Sequence, residues 1–144
     1  MINGVIITPL KSISIPGGDV LHAMKCSDTG YAGFGEGYFS MVKPGIIKAW
    51  KRHKEMVLNL VVPVGAIRFV MFDDNSDSPS YHNFQDIVLS RNNYCRLTIP
   101  PMIWLGFQCV GEDEAMLLNL ASIIHDPDEA ERKEINKIEF DWSS

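Results

Sequence analysis

Turn residues punctuate this chain so densely that its apolar runs rarely exceed about eight residues, a rhythm that suits short β-strands and little else. Candidate strands cover residues 5–8, 13–15, 20–25, 36–42, 46–53, 57–64, 66–73, 84–89, 94–99, 106–110 and 115–124. Between them fall Pro9, Pro16-Gly17-Gly18, the glycine-rich stretch 27–37, Pro44-Gly45, Gly65, the polar run 74–82, Arg91-Asn92-Asn93 and Pro100-Pro101. Each break supplies turn chemistry or removes a backbone donor. Residues 36–42 (EGYFSMV) alternate as a half-buried strand does. Residues 57–64 are apolar except for Pro63 and Asn59, as in a strand buried on both faces or lining a barrel. Only residues 127–134 (PDEAERKE) read as helical, in a short surface turn. The pattern predicts an all-β protein of the jelly-roll or related sandwich type, whose interior can hold a ligand.

The chain of 144 residues fits a single domain with one core. No apolar run reaches the roughly 18 residues needed to span a bilayer, and no basic residue precedes the first apolar run as in a secretory signal. Cys26, Cys95 and Cys109 have unrelated spacings, which predicts reduced thiols and a cytoplasmic protein. A net charge of −5 argues against nucleic acid as a partner. Charge is also unevenly spread. Lys43, Lys48, Lys51, Arg52 and Lys54 lie close together with no acid among them, while acids dominate after His125. Either run suits a solvated edge; the basic one also suits a pocket for an anionic ligand.

Several motifs recur in a fixed order. Gly45-Ile46-Ile47-Lys48-Ala49-Trp50-Lys51 is similar to a G-x-L-R-G-L-H strand, and residues 61–65 to a V-V-x-G turn. Asp77-Ser78-Pro79-Ser80 matches the end of a D-x-R-x-x-S-P-T loop. Leu89-Ser90-Arg91-Asn92-Asn93 is similar to L-S-x-x-N, and residues 99–107 (IPPMIWLGF) to I-P-x-G-x-A-H-G-F. In these motifs, which span more than half the chain, it resembles the dTDP-4-dehydrorhamnose 3,5-epimerase family of cupins. It also resembles a divergent branch of these cupins that carries a W-K-x-H strand and is encoded with cell-surface polysaccharide genes. The resemblance implies a cupin-type jelly-roll barrel, a nucleotide-linked keto-deoxy sugar as ligand, and a homodimer in which an N-terminal strand such as residues 5–8 covers a partner's sheet edge. It implies no cofactor.

Against that family, Lys51 stands where the catalytic base histidine is found, and Leu105 where a second pocket histidine is found. The catalytic tyrosine falls at or near Leu118, another tyrosine is replaced by His125, and the first-strand arginine becomes Lys48. Epimerisation beside a ketone needs a base on one face and an acid on the other. With the usual pair absent, the candidates for proton transfer are Lys51, His53 and His125. Strand alternation puts Lys51 and His53 on one face. A lysine acts as a base when burial and neighbouring cations lower its pKa. Candidate ligand-binding residues are Lys48, Glu36, Tyr38, Asn59 and Trp104: a cation for phosphate, two residues on a flanking strand, a polar break in an apolar strand, and an indole on a pocket rim. No metal is expected, because Lys51 and Leu105 occupy positions that metal cupins fill with histidine.

Two functions fit these residues: an epimerase or ketoisomerase with a substituted base, or a catalytically silent protein that binds a sugar or sugar nucleotide. A third alternative is a structural module whose pocket is filled by its own side chains.

Overall fold

The structure, a computed structural model, describes residues 1–144. Its strands are β1 (Ile6–Pro9), β2 (Ser12–Ile13), β3 (Val20–Leu21), β4 (Glu36–Val42), β5 (Ile47–His53), β6 (Leu58–Val64), β7 (Ile67–Phe72), β8 (Phe84–Leu89), β9 (Cys95–Ile99), β10 (Trp104–Cys109), β11 (Ala115–Ala121) and β12 (Ala130–Arg132). They form two five-stranded antiparallel sheets, ordered β1-β9-β6-β11-β4 and β12-β5-β10-β7-β8, and a small β2-β3 ribbon. This is the jelly-roll sandwich that the turn rhythm predicts.

Alternation builds the core. Leu60, Val62, Leu97 and Leu117 of the first sheet meet Ile67, Phe69, Met71 and Leu89 of the second. Strand β6 reads as continuously apolar because its outer face is covered too, by the N-terminal segment. Asn59 donates to the Gly30 carbonyl at 3.0 Å and accepts from the Thr98 hydroxyl at 2.6 Å. Fully buried Arg96 reaches the carbonyls of Ala23 and Thr29 and the Asp28 carboxylate. Strand β1 pairs with β9 of its own chain, so one of its edges is already in use.

The outer face of the second sheet carries a smaller core of Trp50, Val70, Trp104 and Ile138, with Phe140 and Trp142 against it. A Cβ on Gly106 would lie 2.9 Å from both Ala49 and the Trp142 ring, so only glycine lets the tail pack there. Residues 127–134 differ from the helical expectation. After a 3₁₀ turn at Pro127–Glu129, the chain straightens into β12 and pairs with the open edge of β5, placing Ala130 opposite His53 and Arg132 opposite Lys51. The unpaired edge supplies backbone partners that an isolated helical turn would lack.

Candidate functional site

A cavity of about 660 Å³ opens between the sheets, with β4, β6 and β11 on one side and β5, β10 and the β12 segment on the other. Its floor is apolar: Leu58, Leu60, Leu105, Phe107 and Leu117. Its polar groups are unevenly divided between the walls.

Strand β5 carries Lys48, Lys51 and His53 into the cavity. Simple alternation from Lys51 would turn Lys48 outward. A β-bulge prevents this, because Leu105 and Phe107, two apart on β10, face Lys51 and Lys48, three apart on β5. Strand β12 adds Arg132 beside Lys51. Neither Lys48, Lys51 nor Arg132 pairs with a carboxylate, whereas Arg52, Arg68, Arg91 and Arg96 each do. These three cations of the wall are therefore left without a salt-bridge partner.

His53 is the exception, because buried Glu129 meets its Nδ1. The other oxygen of that carboxylate accepts from the amides of Glu55 and Met56 at 3.1 and 3.2 Å. With Nδ1 held by a carboxylate, Nε2 is the ring nitrogen left for the cavity. Met102 N–H donates to the His53 carbonyl at 2.7 Å, fixing the strand end from the other side. Burial pushes the His53 pKa below its ordinary value against the upward pull of Glu129, so the imidazole is kept neutral. Burial raises the Glu129 carboxyl, but the hydrogen bonds from His53 and the two amides outweigh it and keep the group ionised. Lys51 is also lowered, first by burial and then by the charge of Arg132.

On the opposite wall, Tyr38 and Ser40 of β4 and Asn119 of β11 face the cavity. Asn119 Nδ2 donates to the Tyr38 hydroxyl at 2.8 Å, leaving that O–H free to donate onward. Asn119 Oδ1 is buried with no hydrogen-bond partner in the protein.

The structure thus brings Lys48, Lys51, His53 and Tyr38 together, and places the other candidates elsewhere. Asn59 points to the far side of β6, where Gly30 and Thr98 satisfy its amide. Trp104 lies on the outer face of its sheet, donating to Asp74 at 2.9 Å under the Arg52 guanidinium. His125 is exposed in the turn after β11 and does not line the cavity. Glu36 sits opposite Ala121 at the start of β4, also outside the lining. Leu118 pairs with Phe39 on the outer face of its sheet, so it is no lost pocket group; its neighbour Asn119 points inward. Glu129 and Arg132 were hidden in a tail that reads as solvated charge. For Asn119 the signal was available: the alternation of residues 115–121 puts odd-numbered positions inside.

No group of three or more His, Cys, Asp or Glu side chains converges as a metal site would require. No helix is long and apolar enough to cross a membrane.

No protein-family model matches the chain. It is similar to a crystal structure of a dTDP sugar isomerase from Desulfovibrio desulfuricans, with 37% identity and a TM-score of 0.94 over 99% of this chain and 92% of that one. It is 31% identical over 99 residues to a probable low-salt glycan biosynthesis epimerase of Haloferax volcanii, covering 68% of this chain and 64% of the relative. It is 24% identical to the spore coat polysaccharide biosynthesis protein SpsL of Bacillus subtilis, over 100% of this chain and 98% of that protein.

Proposed function

This chain belongs to the family of dTDP-sugar isomerases and epimerases, and from that footing we propose that it moves a proton beside the ketone of a nucleotide-linked keto-deoxy sugar during surface-polysaccharide synthesis. The observation that carries this reading is the buried His53–Glu129 pair set in the cavity wall. A base must be neutral, correctly tautomerised and aimed: burial keeps the imidazole neutral against the pull of Glu129, and the carboxylate on Nδ1 fixes its tautomer and aim. His53 Nε2 takes the proton next to the carbonyl. Tyr38, on the facing sheet, returns one from the other side of the ring, and Asn119 holds its hydroxyl. Lys48 and Arg132 meet the diphosphate, and the apolar floor receives the deoxy carbon. The histidine is thus displaced by two positions from where the family's motif puts it.

The protein works as a cytoplasmic homodimer. Its three free cysteines suit a reducing compartment. Phe34, Phe39 and Met41, exposed on or beside the outer face of β4, suit a covered surface better than a wet one. Light scattering giving a monomer mass at high micromolar concentration contradicts this arrangement.

The deciding experiment incubates the protein with dTDP-4-keto-6-deoxyglucose in deuterium oxide and follows the sugar by NMR. The expected result is protein-dependent deuterium incorporation next to the ketone, abolished by His53→Asn. Binding without incorporation returns the chain to a recognition role.

A further inference from the structure

We infer that Lys51 acts covalently: its amine condenses with the substrate ketone, and the proton removed by His53 comes from an iminium rather than from the free ketone. This inference rests on the keto-sugar reading above and goes beyond it by assigning a nucleophile.

Lys51 has no ion partner. It lines the cavity with no carboxylate partner, although buried Glu129 lies close enough to bond the histidine two residues away. Lys48 and Arg132 already supply cations for the diphosphate on the same wall, and Lys48 is the more exposed, which leaves Lys51 free for another role. The groups around Lys51 are Arg132 from β12, His53 with its Glu129, Lys48 along β5, and Tyr38 from β4 across the cavity. Lys133 and Glu134 also line the cavity, and the Glu129 charge pulls the Lys51 amine back up although its oxygens are engaged by His53 and two amides; burial and Arg132 outweigh it. Desolvation and an adjacent cation are the two conditions that leave a lysine unprotonated and nucleophilic. An ordinary lysine at pH 7 is only about 0.04% neutral, and each unit of depression raises that fraction about tenfold. Burial and Arg132 both act in this direction.

Position supports the same role. Lys51 and His53 share a strand face two residues apart, hence roughly 6–7 Å between backbone positions. Both side chains line the same cavity, so a bound ring can offer its carbonyl carbon to Nζ and the adjacent carbon to Nε2.

The chemistry balances without any outside reagent. The Nζ lone pair of the neutral amine adds to the carbonyl carbon, the oxygen takes one proton from that nitrogen and one from solvent, and it leaves as water as the C=N⁺ bond forms. His53 Nε2 removes the adjacent C–H proton, and the electron pair moves through the new C=C to neutralise nitrogen as an enamine. Protonation of that carbon from the Tyr38 side restores the iminium with the centre inverted. Water then adds, and Lys51 leaves as the free amine.

The test uses the intact protein with dTDP-4-keto-6-deoxyglucose. Sodium cyanoborohydride should trap a stable adduct carrying the mass of the sugar nucleotide on the peptide containing Lys51. It should be absent without substrate and in Lys51→Arg, and retained in Lys54→Arg. Independently of any variant, wild-type protein should speed exchange of the ketone oxygen with ¹⁸O-water. Deuterium incorporation with neither adduct nor catalysed ¹⁸O exchange overturns the covalent step and leaves the proposed function standing, as does full turnover by Lys51→Arg. Absence of deuterium incorporation, adduct and oxygen exchange together overturns both.

Discussion

Replacing Glu129 by glutamine isolates the contribution of the carboxylate at nearly constant volume. Three groups now donate to it: His53 Nδ1 and the amides of Glu55 and Met56. Glutamine has one acceptor oxygen. If that oxygen stays with the two amides, its NH₂ is left facing Nδ1, where it favours the tautomer with hydrogen on Nε2. That is the wrong tautomer for a base aimed at the cavity. A positioned base contributes roughly 10²–10⁴ in rate, so Glu129→Gln should lower kcat for deuterium exchange by about that factor with KM nearly unchanged. Stability should fall as well. A charge-assisted bond contributes about 1.5–3 kcal/mol, and losing the one from His53 should lower the melting temperature by roughly 5–10 °C. Exchange kinetics by NMR and a melting curve on one sample read both effects. Exchange within threefold of wild type would refute the claim that Glu129 sets the state of His53, whatever happens to stability.

The depressed pKa values of His53 and Glu129 fix the sign of the pH response. The unfolded chain binds protons near 6.5 and 4.5 more readily than the folded chain does, so the contribution of these two groups to stability is complete above about pH 6.5 and is lost as the solution is acidified. Denaturant midpoints at pH 7.5 and 5 check this, and the acid limb of kcat/KM should lie below 6.5. Asn59→Leu strands the Gly30 carbonyl and the Thr98 hydroxyl at about 1–3 kcal/mol each, so melting should fall while the exchange KM stays put. Arg132→Gln should weaken dTDP binding and flatten its salt dependence, measured by calorimetry at two ionic strengths. Arg52→Gln, which breaks pairs with Asp74 and Glu131 on the outer face, should cost stability more than binding.

The fold was legible because turn residues mark strand ends locally, and the sandwich follows from strand number and alternation. Lys51 and His53 were legible for the same reason: a strand's period does not depend on its neighbours. What escaped depended on pairing. Leu118, at or near which the family's tyrosine was expected, faces outward while its neighbour Asn119 faces inward, because on a strand one residue reverses the face. Asn59 is a polar break in an apolar strand whether a ligand or the Gly30 carbonyl satisfies it, and only the path of the N-terminal segment decides. Trp104 was expected at a cavity rim, but its strand turns the neighbouring Leu105 inward. Glu129 looked like one more acid in a solvated tail until β12 docked on β5.

That docking has a consequence in time. The bond between His53 and Glu129 spans 76 residues, and Arg132 reaches the cavity by the same late strand. A chain emerging from the ribosome can therefore close most of both sheets, and enclose a lysine-lined hollow, well before it possesses a poised imidazole. The orientation of His53 therefore depends on a segment that follows the other strands of both sheets in sequence.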